Sequence, residues 1–286
     1  MAQTVLQRLT NLLPRRFRRG AAFVPVVRLT GAIGYTTPLS PGMTLATVSK
    51  ALERAFSIKQ AKAVALVVNS PGGSPVQSHL IHQRIRQLAD ENKKKVLVFI
   101  EDVAASGGYM IATAADEIFV DSSSIVGSIG VISASFGFDK LIKKIGVDRR
   151  VYTAGEKKMM LDPFQPEKAE DIERLKEVQK DIHGLFISLV KERRGKKLKG
   201  PEKKLFSGEF WTGVEAEKLG LVDGLGDLRG TLRSRFGKNV AIRLVSPPTS
   251  WLGRRAPGIG AEANADWAAT LISAIETRFL WSRYGL

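Results

Sequence analysis

The 286-residue chain contains no cysteine and only three histidines, His79, His82 and His183. The missing cysteine excludes a thiol nucleophile, a disulfide framework and thiolate metal sites. No run of 18 or more apolar residues occurs, so no segment is expected to span a membrane as a helix. Internal repeats, low-complexity blocks and recognised nucleic-acid motifs are absent as well. The histidines fall in two helix-like runs. His79 and His82 lie in Val76 to Asn92, where Val76, Leu80, Ile81, Ile85 and Leu88 mark one face, and His183 lies in Glu167 to Arg194. All three read as helix-surface residues rather than catalytic ones. No metal or cofactor is expected.

What is present is a serine in a telling place. Ala104-Ala105-Ser106-Gly107-Gly108-Tyr109 follows the apolar run Val96 to Ile100 and opens the helix-like run Tyr109 to Ala115. A serine at such a strand-to-helix turn is either a helix cap or a nucleophile. Two glycines behind it allow close approach of a substrate, and a helix start offers unpaired amide donors where an oxyanion would form. Upstream, Asn69-Ser70-Pro71-Gly72-Gly73-Ser74 follows a second strand candidate, Ala63 to Val68. In a largely parallel sheet the carboxyl ends of strands share one edge, so the two glycine-rich loops are expected to meet at one cleft.

A serine nucleophile needs a base. With the histidines placed on helix surfaces, lysine remains. Lysine accepts a proton only when neutral, which requires a pKa lowered from about 10.4 toward roughly 7 to 8. The candidate segment runs from Tyr152 to Phe164, after a short strand candidate, Arg149 to Thr153. In it Lys158 is followed by Met159, Met160 and Leu161 and preceded by Lys157.

Five segments occur in a specific order: Asn69 to Ser74, Ala105 to Tyr109, Gly127-Ser128-Ile129-Gly130-Val131 (Gly-Ser-Ile-Gly-Val), the Gly155 to Phe164 lysine loop, and Ala216 to Asp223. In that order they resemble bacterial signal peptide peptidase A and its SohB relatives, over roughly Phe23 to Leu244. The resemblance implies a serine peptidase of the ClpP/crotonase fold with a Ser-Lys dyad. It implies Ser106 as nucleophile, Lys158 as general base, and the Gly72-Gly73 loop with the Gly107 amide as oxyanion hole. The position before the lysine is often aromatic or histidine in relatives and is Lys157 here, so the two lysines compete for the role. A charged Lys157 would itself favour the neutral form of a lysine beside it. Ser128 is implied to support the lysine by hydrogen bonding, or it belongs to a polar loop before a core strand, Ile129 to Ser133. Asp102, without a suitable histidine, reads as a loop or cap residue.

Composition agrees with a globular enzyme: 44% hydrophobic and 25% charged residues. Strand candidates alternate with helical stretches from Phe23 through the Ser106 helix. This rhythm predicts an α/β fold, a largely parallel sheet of repeated β-α-β units with helical cover. Three regions are expected: a basic amphipathic arm over 1–22, a single peptidase domain over 23–245, and a Pro/Gly-rich linker with a C-terminal helix over 246–286. In the arm Val5, Leu6, Leu9, Leu12 and Leu13 precede Arg15, Arg16, Arg18 and Arg19. It reads as an interfacial segment, a disordered arm or an oligomer contact. The C-terminal helix carries Trp267, Leu271, Ile275, Phe279, Leu280, Trp281 and Tyr284, and faces membrane, a neighbouring subunit or its own domain.

The net charge of +16, with clusters at Lys93 to Lys95 and Lys191 to Lys204, suits anionic lipid head groups better than nucleic acid. The expected location is cytoplasmic with peripheral contact to the inner membrane. The expected activity is hydrolysis of hydrophobic peptides, such as signal-peptide remnants or membrane-protein segments, through an acyl-enzyme. Tandem family members carry two such domains and this chain one, so a homo-oligomeric ring with shared sites is expected. Two other readings compete: a crotonase-type acyl-CoA enzyme, which would bind acyl-coenzyme A, and a non-catalytic membrane-associated scaffold, whose Ser106 would resist serine reagents.

Overall fold

The computed structural model describes residues 22–34, 42–246 and 278–286. Of the arm over 1–22, residues 1–21 lie outside the described residues, as do Trp267, Leu271 and Ile275.

Three apolar runs become the central parallel strands β1 (Phe23–Thr30), β2 (Ala63–Ser70) and β3 (Lys95–Ala105). Their unbroken hydrophobicity has a simple cause, since helices cover both faces and each strand buries both sets of side chains. Val64, Leu66 and Val68 point into one cluster, while Ala63, Ala65 and Val67 point into a second on the opposite face. Full burial of an aliphatic side chain of this size is worth roughly 1.5–3 kcal/mol. Beyond β1 lies the parallel strand β8 (Ala241–Leu244).

On its other side β3 divides its partners. Leu97 to Ile100 pair with β4 (Glu117–Val120), whereas Val103 to Ala105 pair with β5 (Ile125–Gly127), both parallel. β5 is flanked by the antiparallel β6 (Phe210–Thr212), and β4 by β7 (Gly224–Leu225). The result is the expected largely parallel α/β sheet, with a single antiparallel pairing among the described residues.

Helix α1 (Leu45–Ser57) starts in a capping box between Thr44 and Thr47 and buries Leu52, Ala55 and Phe56. Helix α2 (Pro75–Asn92) starts at the Ser74 cap with proline in its first turn, and stops where Lys93 turns left-handed at φ 51°. The short α3 (Gly107–Ala112) is wholly buried, and its Tyr109 hydroxyl donates to the Leu221 carbonyl at 2.7 Å. Three further helices follow: α4 (Asp139–Lys144), α5 (Ala169–Arg194) and α6 (Glu202–Leu205). They are followed by α7 (Gly213–Lys218) and α8 (Leu228–Phe236), and residues 278–282 are helical as well. At the end of α5, Arg194 is buried and pairs with Asp223 at 2.7 Å. Burial opposes ionisation of Asp223, but hydrogen bonds from Arg194 and Lys197 outweigh it and hold the carboxyl below its usual range.

Several local expectations change. Ile129 to Ser133 form no strand, because Ser128 turns the chain at φ 52° just after β5. Arg149 to Thr153 form none either; they lie in an exposed arm between Val131 and Lys168 that has no strand beside it among the described residues. His82 is not a surface histidine: it is buried where α2 meets the end of α3 and Arg193 of α5. His183 hydrogen-bonds the Ile129 carbonyl at 3.0 Å. Much of the basic clustering is internally engaged. Lys94 donates to the Phe56 and Ile58 carbonyls at the end of α1, and Lys191, Lys197 and Lys204 pair with Glu202, Asp223 and Glu215.

Candidate active site

The carboxyl ends of β2, β3 and β5 converge on Ser106. This residue links β3 to α3 at φ 51° and ψ −121°, a region that side chains with a Cβ rarely occupy and that tends to be retained at functional turns. Its side chain caps no amide of α3. The cap alternative therefore lacks the hydrogen bond that would define it. Its own amide donates to the Gly127 carbonyl at 2.8 Å, and its carbonyl accepts from Met110 at 3.0 Å.

The upstream glycine loop closes on the same point. A Cβ at Gly72 would stand 2.9 Å from the Ser106 Cβ and 3.0 Å from the Gly107 nitrogen, and Gly72 holds φ 103°. A Cβ at Gly73 would stand 2.2 Å from the Ile33 carbonyl oxygen, at φ 140°. Both positions thus need glycine for conformation and for space. Among the described residues the Gly72 amide is already engaged, donating to Ser70 Oγ at 3.3 Å, while the amides of Gly73 and Gly107 donate to nothing. Of the three expected oxyanion donors, those two are the ones free to accept charge.

The lysines belong to the segment that follows β5. Lys157 and Lys158 are exposed in the arm, in a turn where the Lys158 amide donates to the Gly155 carbonyl at 3.2 Å. Among the described residues no hydrogen bond joins either side chain to Ser106. The arm has its own small nucleus: Phe138 packs between Phe136 and Phe164, Arg149 lies 4.8 Å over Phe164 and pairs with Asp162, and Asp171 accepts from the Leu161 amide. Much of its apolar surface is nonetheless open. Tyr152 is 91% exposed, Phe136 72% and Ile132 68%, values that a finished surface seldom shows in one segment.

Ser128 is buried beside β5 and its amide donates to the Glu209 carbonyl at 2.6 Å. Asp102, read as a loop or cap residue, lies within β3 and accepts from the Asn69 side chain at 2.6 Å. Of the C-terminal segment, Trp281 and buried Tyr284 pack on Val103 and Ala105, so this end of the chain rests on its own domain behind the Ser106 strand. Residues 23–245 thus carry both glycine loops and the lysine arm.

Comparison with known proteins gives the family and the fold. Residues 89–238, just over half of the chain, match the model of peptidase family S49. A Brucella abortus protein named as a Na(+)/H(+) antiporter is 58% identical over 287 residues, covering 97% of this chain but 39% of that protein. The chloroplastic serine protease SPPA of Arabidopsis thaliana is 30% identical over 253 residues, covering 83% of this chain and 36% of its own. The chain therefore spans well under half of each of these two relatives. Among the described residues no helix is long and apolar enough to cross a membrane. A solved structure of a membrane-bound stomatin-specific protease, 1510-N, shares the fold at 17% identity and a TM-score of 0.52, covering 80% of this chain and 99% of that one. The serine turn, the glycine loop against it and the matched segment together place this chain in peptidase family S49.

Proposed function

We propose that the protein is a serine endopeptidase that hydrolyses hydrophobic peptides through an acyl-enzyme on Ser106. The observation that carries this reading is the Ser106 turn at φ 51°, with Gly72 packed against it and with the amides of Gly73 and Gly107 donating to nothing among the described residues. Ser106 Oγ attacks the peptide carbonyl, the two amides take up the developing oxyanion, and a neutral lysine accepts the serine proton and returns it to the departing amine. Water then adds to the acyl-enzyme with the same lysine as base. Hydrophobic substrates fit the apolar surface of the arm, and work at a membrane fits two relatives, one named an antiporter and one named membrane-bound.

Lys158 is the proposed base, supplied by a second copy of the chain. Two features support this: the lysine turn is exposed and unjoined to Ser106 within one copy, and the arm leaves Tyr152, Phe136 and Ile132 uncovered. Head-to-tail contacts of this kind close into rings. Mixing Ser106→Ala chains with Lys158→Ala chains, with subunit exchange verified separately, should restore peptidase activity at about a quarter of the interfaces. Exchange without recovered activity would show that each site is built within one chain.

A further inference from the structure

Pairing between β2 and β3 is regular to Val68 opposite Ile100 and resumes at Ser70 opposite Ala104. Asn69 alone therefore faces Glu101, Asp102 and Val103, a bulge of two extra residues on β3. Two is an even number, so the alternation of faces survives while the end of β3 is drawn back along β2. An uninterrupted register would set Gly72 opposite Ala104. The bulge sets it opposite Ser106, where a Gly72 Cβ would lie 2.9 Å from the serine Cβ.

A bulge leaves ladder groups without strand partners. Asn69 takes up one of them, the Val103 amide, and ties the bulge to its neighbours on either side. Its side-chain oxygen accepts from the Val103 amide at 3.3 Å, its side-chain amide donates to the Asp102 carboxylate at 2.6 Å, and its carbonyl accepts from the Gly31 amide at 2.9 Å. The bond to Asp102 is charge-assisted, with half-buried Asn69 on one side and exposed Asp102 on the other. The next residue, buried Ser70, continues the brace: its hydroxyl donates to the Gly31 carbonyl at 2.7 Å and accepts from the Gly72 amide.

We infer that Asn69 and Asp102 are positioning residues, which lock the bulge that sets the Gly72-Gly73 loop against Ser106. This rests on the reading of Ser106 as nucleophile. Neither side chain is asked to touch substrate. Their effect should fall on kcat, because the oxyanion donors must be placed to within a fraction of an ångström of the developing charge.

The test compares Asn69→Ala, Asp102→Ala, Asp102→Asn and the exchange Asn69→Asp with Asp102→Asn. Kinetics on a peptide ester are expressed per site titrated with a fluorophosphonate. Asn69→Ala and Asp102→Ala should lower kcat about 10- to 100-fold with KM changed less than about threefold. Asp102→Asn should stay near the parent, since its amide oxygen still accepts from Asn69. In the exchange pair the carboxylate at position 69 accepts both from Val103 and from the amide at position 102, so most of kcat should return. Asn69→Asp alone sets two carboxylates face to face, and its deficit relative to the parent should deepen as pH rises and their shared proton is lost. A purely folding role would reduce the number of titrated sites and leave kcat per site unchanged, which would overturn the inference. Hydrogen exchange at the Val103 amide, measured in the Ser106→Ala background, reads the brace with no chemistry at Ser106. It should be faster with Asn69→Ala, and unchanged exchange would also overturn the inference. Absence of fluorophosphonate reaction in the parent would instead sink the nucleophile, with Val103 exchange still deciding the brace.

Discussion

The Ser106 amide donates to the Gly127 carbonyl across 2.8 Å, which ties the end of β3 to the end of β5. Through this bond the serine turn and the Ser128 turn form one piece, and the chain leaving Ser128 enters the arm that carries Lys158. Ser128 in turn is held by the Glu209 carbonyl. The rigid part of the site thus belongs to the sheet edge, while the proposed base belongs to an exposed extension. That division separates the consequences of substitution in the two places.

At the rigid edge, Gly72→Ala should be costly in two ways. Its φ of 103° strains any residue with a Cβ, and that Cβ would meet Ser106 and the Ala105 carbonyl at 2.9 Å. A stability loss of about 1–3 kcal/mol is expected from the backbone alone. If the loop retreats to relieve the clash, peptidase kcat should fall by roughly 10²–10³, the usual cost of a lost oxyanion donor. Thermal melting and kcat, measured on the same preparation, check both.

On the extension, Lys158→Ala should remove nearly all turnover with the melting temperature unchanged, since the side chain is exposed and no hydrogen bond of the described residues uses it. Lys157→Ala should keep measurable activity. The reversed result would move the base to Lys157. With a lysine base, kcat/KM should rise with pH as the neutral form grows, and replacing His79, His82 and His183 together by glutamine should leave that rise in place, provided the variant remains folded; its loss would contradict a lysine base.

His82 makes the fold acid-sensitive. Burial first, then the positive charges of Arg193, His79 and Arg86, lower its pKa from 6.5 to about 3. The Thr113 carbonyl works the other way but is outweighed by burial, and among the described residues neither ring nitrogen makes a hydrogen bond. Arg86 and Arg193 are themselves turned toward Asp116 and the carbonyls at the end of α3, and Asp90 binds Arg86. Between the two pKa values the unfolded chain binds a proton that the folded chain refuses. The stability is therefore fully present above about pH 6.5 and is lost as pH falls toward 3, at about 1.4 kcal/mol per pH unit and about 4–5 kcal/mol in all. His82→Leu removes the titration, so melting temperatures of the variant should fall less steeply than the parent's between pH 6.5 and pH 4. Parallel curves would contradict the assignment.

How far the sequence reveals this arrangement depends on the kind of contact. Ala63 to Val68 and Val96 to Ile100 announce their strands because both faces are buried, and the glycine loops after them point to a shared edge by parallel topology alone. The brace at Asn69 is not legible, since it depends on a register shift between two strands. Burial of His82 is hidden because the faces of α2 are assigned without knowing that Arg193 of α5 closes over it. Val151 and Tyr152 have strand propensity, but propensity needs a neighbouring edge, and the arm offers none. The position of Lys158 relative to Ser106 is likewise outside what one chain's pattern conveys.

The central claim is that Ser106 is the nucleophile, and covalent labelling tests it most directly. The intact protein, treated with a fluorophosphonate and mapped by peptide mass spectrometry, should carry one adduct, on Ser106. That adduct should be missing in Ser106→Ala and should form far more slowly in Lys158→Ala, with loss of peptidase activity tracking its formation. An adduct on another residue, or peptide hydrolysis that persists in Ser106→Ala, would contradict the account.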